Sequence, residues 1–350
     1  MELANTTPLV ADLRVGRRAA SGRRMGLLTA KATYRYDARG ETWLDTESPL
    51  PLFCPDEATP LGLLPRDDLP RNDDAFEVSL LGCAHAPGGR PVARMTVSLT
   101  VADRTREIAV FGDREWSGAG PGARITEPEP FARMPLTWSR AFGGSCDVEV
   151  DVDSPVLVSH DENPEGLGFD PAPKAEELDA FLSCPAGYPR FPKRRRLPNL
   201  ERPEALIRAW ADSPEPVGWS PLLPSSGMQA RRSYEVREDG ERKVVVPTAG
   251  RLHRAHPDWV FDRAPPALSP IVMEGLSPEG RVSLRLPELT VHFDYVLGAR
   301  TGSRSLALHA LVLLPEEQRF CLVYRHAFEV DTPDGEERGA RLRIERGRRA

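Results

Sequence analysis

The chain has 350 residues with a formal net charge of −6, 40% apolar and 28% charged side chains. It is long enough to bury a full core as one large domain or two lobes, and its charge gives no overall attraction to nucleic acid or an anionic membrane. The 35 prolines and 28 glycines interrupt helices and supply turns, which favours many short strands joined by ordered loops.

Residues 1–23 are polar and basic without periodicity and read as a flexible tail. From about residue 24 the segments 27–37, 75–86, 93–103 and 106–113 are short, partly alternating and rich in β-branched and aromatic residues, the pattern of antiparallel strands. The Pro-Gly-Gly-Arg-Pro stretch at 87–91 is expected to close a hairpin between its neighbours. The middle, 117–270, is proline-rich. Two short helices are expected in it: 172–184, with Leu178, Phe181 and Leu182 on one face, and 202–211, with Leu206, Ile207 and Trp210 so spaced and Pro203 near its start. Strands return at 281–289, 290–298, 303–320 and 319–330, the last two flanking a turn at Pro315–Gln318. The end, 331–350, is charged and reads as frayed. The expected fold is therefore mainly β: two packed antiparallel sheets, long Pro/Gly-rich ordered loops and one or two short helices.

Known chemical motifs do not fit. Asp147, Glu149, Asp151 and Asp153 alternate with Val148, Val150 and Val152, but a calcium loop counted from Asp147 would need Gly at Val152 and Glu at Val158. A strand with one wet and one apolar face is the better reading. His253 and His256 form the one close histidine pair, with Pro257 beside them and no third ligand near. The five cysteines are widely spread without a C-x-x-C, so they are expected to be reduced and packed. Nucleophile-elbow and phosphate-loop patterns are missing, and no catalytic residue, metal or cofactor is expected. With no membrane-length apolar run and no signal-peptide core, the chain is expected in the cytoplasm.

The specific features are landmarks of Gly, Pro, aromatic and charged residues: "VFGDREW" (110–116), "EPEPFARMPLTWSRAFGG" (127–144), "NPEGLGF" (163–169), "LPNLERP" (197–203), "PVGW" (216–219) and "RAPPA" (263–267). In residues and order these resemble the domain-of-unknown-function 2169 family, over roughly 24–330. The landmark positions are Arg114, Trp116, Trp138, Arg140, Phe142, Gly143, Gly144, Asn163, Pro164, Gly166, Gly168, Pro198, Asn199, Glu201 and Pro203. The resemblance implies a cytoplasmic adaptor or chaperone, encoded beside type VI secretion genes, that holds a toxic effector and helps load it on spike proteins. It hands over no catalytic residue. At 225–247 this chain departs from the family, which carries a Trp and Arg followed by Gly-Thr-Tyr-Asp.

Gly143, Gly144, Gly166 and Gly168 permit bends and close approaches that a side chain would block, beside the bulk of Trp138, Phe142 and Phe169. That combination reads as scaffold. For a partner surface, the expected anchors are Arg194, Arg195, Arg196, Trp210 and Trp219. The alternative to an adaptor is a hydrolase or carbohydrate-active β protein whose site no motif marks.

Overall fold

A computed structural model describes residues 2–17, 24–53, 56–65, 67, 75–118, 120–172, 181–191, 196–224, 226, 234–239, 242–247, 253–298, 300–330 and 337–346. The chain is mainly β, and the helical elements among the described residues are three-residue 3-10 turns. A seven-stranded sheet runs in the order Val10–Arg17, Arg24–Tyr36, Arg319–Glu329, Ala307–Leu314, Phe76–Leu80 and Val260–Phe261, with Thr42–Leu44 added to Arg24–Tyr36. All its pairings are antiparallel except Phe76–Leu80 with Ala307–Leu314. A five-stranded antiparallel sheet orders Leu200–Glu201, Arg104–Phe111, Arg94–Val101, Pro270–Glu274 and Arg281–Arg285. A four-stranded sheet orders Leu3–Asn5, Glu337–Arg346, Leu289–Leu297 and Arg300–Ser305.

One apolar core joins the three sheets, with Leu28, Phe76, Leu80 and Phe320 from the first, Leu99, Ile108, Ile271 and Leu284 from the second, and Val291, Phe293 and Leu342 from the third. Strict alternation places these side chains. In Arg281–Arg285, for example, Val282 and Leu284 are buried while Arg281, Ser283 and Arg285 face out. Lys31 is buried on the other face of its strand, 2.5 Å from Asp67, and lies over the Phe53 ring.

Several sequence expectations are corrected. The supposed N-terminal tail forms the strands Leu3–Asn5 and Val10–Arg17, and the supposed frayed end forms Glu337–Arg346 at the centre of the four-stranded sheet. Its Ala340 and Leu342 are buried and Ile344 packs on the core, so an apolar alternation lies between the arginines. The 87–91 stretch does not close a hairpin: Cys83–His85 pairs with Arg133–Pro135, and Arg94–Val101 pairs onward with Arg104–Phe111.

The expected helix at 202–211 is a series of turns, because side-chain carboxylates take the amides a helix would need. Glu201 accepts from Ile207 N–H (2.9 Å), and Asp212 accepts from Arg208 (2.8 Å) and Ala209 (2.9 Å). Of the helix expected at 172–184, Ala172 is helical, residues 173–180 lie outside the described residues, and only the end, Phe181–Cys184, is a turn. The acidic alternation is a strand only over Ser145–Glu149, after which Asp151–Ser154 turns the chain into Pro155–Ser159. The divergent 225–247 segment contains a hairpin, Tyr234–Asp239 with Arg242–Pro247. Apart from Ser226, its remainder lies outside the described residues.

Candidate functional site

Four of the landmark segments, 110–116, 127–144, 163–169 and 197–203, meet at one place. Strand Arg104–Phe111 pairs with Leu200–Glu201, and Phe111 N–H donates to the Asn199 carbonyl (2.8 Å). Asn199 N–H in turn donates to Arg140, and Leu197 N–H to Arg114. Phe142–Gly143 lies parallel to Leu167–Gly168, and Gly144 N–H donates to the Asn163 carbonyl (2.8 Å). Gly143 has φ +136°, and a Cβ there would fall on that carbonyl. Gly166 is crowded too, so that a Cβ would meet the Asn163 amide and the Ala141 carbonyl. Both positions require glycine for physical reasons.

Side chains lock these segments to one another. Asn163 Nδ2 donates to the Trp138 (2.8 Å) and Phe142 (2.9 Å) carbonyls, and the Pro164 carbonyl accepts from Ser145 Oγ (2.6 Å). Asn199 Nδ2 donates to the Phe111 carbonyl (3.1 Å) and Asp113 (2.9 Å), while its Oδ1 accepts from Arg140 (3.0 Å). Trp138 Nε1 donates to the Ser220 and Pro221 carbonyls. At the centre Arg114 is ion-paired to Glu201, with side chains 5% and 0% exposed. The Arg114 guanidinium lies 3.8 Å from the Phe111 ring centroid and donates to the Pro198 carbonyl (3.3 Å). Burial pulls Arg114 down and pushes Glu201 up from their ordinary pKa values, each opposed by the other's charge. The pair is a buried clamp without room for a substrate. Pro203 opens the turn series after it.

The expected partner anchors fare differently. Trp219 is corrected to a core residue: it is 2% exposed and edge-on to Trp259. Arg194 and Arg195 lie outside the described residues. Arg196 is exposed, bridges backbone to Glu115 and stands 3.4 Å from Asp113. Trp210 is half-buried against the buried Trp116 ring (5.5 Å). Among the described residues no group of three or more His, Cys, Asp or Glu is placed to hold a metal. His253 Nδ1 is 2.7 Å from the buried Glu77, and His256 accepts from Asp258 N–H (3.1 Å) while stacked on Trp138. Burial pushes the Cys83 and Cys321 thiols up to about 11, so both stay protonated.

Beside the clamp opens a cleft of about 1030 Å³. Phe142 and Phe169 line it, with the His160 ring packed edge-to-face against both (centroids 5.4 Å each). Trp210 forms one wall, and Asp161, Glu162, Asp170, Asp212 and Glu215 bring carboxylates; no Lys or Arg lines it among the described residues. Ser226 Oγ holds the Glu162 carbonyl (2.5 Å), and Arg202 pairs with Glu215 (3.4 Å). Sequence reading missed His160, which stood alone after a strand, and Asp113, which sits inside a landmark but makes its contacts across some 86 residues. The cleft can hold a cationic or ring-shaped group between carboxylates and an indole.

The family described as "Uncharacterized protein conserved in bacteria (DUF2169)" matches residues 21–325. No curated protein and no solved structure matches the chain.

Proposed function

We propose, from the premise that the chain belongs to the DUF2169 family, that it is a non-enzymatic adaptor or chaperone acting in the cytoplasm. Its cargo would be a type VI secretion effector, which it would help load on spike-tip proteins; nucleic acid and membrane are not partners in this reading. One observation carries it: the polar landmark side chains Arg114, Arg140, Asn163, Asn199 and Glu201 bind one another or nearby backbone. They hold loops in place, and loops held in place present a preorganised surface, which lowers the ordering cost of association. Among the described residues no helix is long and apolar enough to cross a membrane. Co-expression with the effector encoded beside the gene tests the proposal. The effector's soluble yield rises and the two co-elute; equal solubility alone and no complex would refute it.

The cleft supports one other reading, a carbohydrate-active protein, because Trp210 stands among several carboxylates there and glycoside hydrolysis uses a carboxylate pair. Release of reducing sugar from an oligosaccharide panel, abolished by changing a cleft carboxylate, would favour it.

A further inference from the structure

Strand Pro155–Ser159 has a single partner strand among the described residues, Ser145–Glu149. The register sets Cys146 opposite Val158 and Val148 opposite Val156. His160 N–H donates to the Gly144 carbonyl and Val150 N–H to the Ser154 carbonyl, so the even-numbered residues exchange the hydrogen bonds of this ladder. Leu157 and Ser159 therefore turn their N–H and carbonyl groups to the open edge. The hairpin's opposite edge is engaged where Glu149 and Arg190 exchange both bonds (3.1 and 2.9 Å). Val148 and Val158 are buried beneath the hairpin, while Leu157 is 66% exposed. The strand continues directly into His160, Asp161 and Glu162, which line the cleft.

Charge decides what this edge can accept. Residues 145–172 include Asp147, Glu149, Asp151, Asp153, Asp161, Glu162, Glu165 and Asp170 and no Lys or Arg. A second copy pairing along the same edge would bring two acidic surfaces together, which like-charge repulsion opposes. We propose that the open edge and the cleft form one docking groove for an extended, Lys/Arg-bearing segment of a partner protein. The segment adds a third strand to the hairpin through Leu157 and Ser159, and its cations meet the cleft carboxylates and the Trp210 ring. The inference rests on the adaptor reading only for the partner's identity.

The probe is a fluorescent peptide alternating valine with lysine and arginine, titrated with the full chain and followed by anisotropy, beside a valine–glutamate control. The basic peptide binds and the acidic one does not, and high salt weakens binding roughly ten-fold or more. Leu157→Pro removes one outward N–H while sparing the hairpin's own bonds, and weakens binding about ten-fold. The isosteric pair Asp161→Asn with Glu162→Gln reaches the same end without touching the backbone. Equal binding of the acidic peptide, or basic-peptide binding indifferent to both variants, overturns the groove. So does quenching of Trp210 by a neutral oligosaccharide with no peptide binding. An effector that co-elutes equally with wild type and both variants overturns the groove but leaves the adaptor reading standing. Variant-sensitive peptide binding without any effector complex does the reverse.

Discussion

In the variant Glu201→Leu, Arg114 keeps its buried position and loses its counter-charge. Both side chains are almost wholly excluded from water, and removing one partner of such a pair costs about 3–5 kcal/mol, most of it the uncompensated charge left behind. Glu201 also accepts the Ile207 amide (2.9 Å), whose loss adds about 1 kcal/mol. The Phe111 ring lies under the guanidinium before and after the change, so it does not enter the difference. The net expectation is about 4–6 kcal/mol, roughly a third or more of the stability typical of a folded domain. The double variant Arg114→Met with Glu201→Leu removes both charges and is expected to lie within about 2 kcal/mol of wild type. Urea unfolding followed by tryptophan fluorescence reads each difference through its midpoint and slope. A single-variant cost below about 1 kcal/mol, or a double-variant cost equal to the sum of the singles, would show that the clamp is not a buried ion pair.

Gly143→Ala places a methyl on the Asn163 carbonyl at a positive φ and is expected to cost about 1–3 kcal/mol, measured by the same unfolding assay. Deleting residues 337–350 removes the strand between Leu3–Asn5 and Leu289–Leu297 and uncovers Val291 and Phe293; the expected product is insoluble or binds a hydrophobic dye, and a soluble, cooperatively folding product would contradict the sheet order. His256 is drawn down to about 4 by burial, against the partly compensating charge of Asp258, from an ordinary value of about 6.5. A depressed folded value means its stabilisation is present above about pH 6.5 and is lost as the pH falls toward about 4, on the order of 3 kcal/mol by linkage. The fall in urea midpoint across that window is expected to shrink in His256→Gln.

The β class was legible because apolar alternation survives locally, as in Arg281–Arg285 and in the hairpin turned at Pro315–Gln318, where Gln318 adopts φ +51°. The terminal strands were not read, since Ala340, Leu342 and Ile344 are each flanked by arginine or glutamate and composition masked their period. The break between Arg94–Val101 and Arg104–Phe111 was legible as the gap between the expected strands 93–103 and 106–113, but its bounds were read about two residues late, because the turn puts Ala102, not glycine, at φ +55°. At the site, the sequence marked Gly143, Gly166, Asn163 and Asn199 as landmarks; in the fold the two glycines are too crowded for a Cβ and the two asparagine side chains donate to backbone carbonyls. It could not tell Trp219 from Trp210 as core and surface, because burial depends on which distant segments converge, and it could not assemble the cleft from residues 142 to 215.

The adaptor account is tested most directly in the native bacterium by deleting the gene and measuring secretion of the neighbouring effector beside that of the spike proteins. The account predicts that the effector disappears from the secreted fraction while the spike proteins remain, and that the wild-type gene restores it. Unchanged effector secretion in the deletion strain would contradict the account.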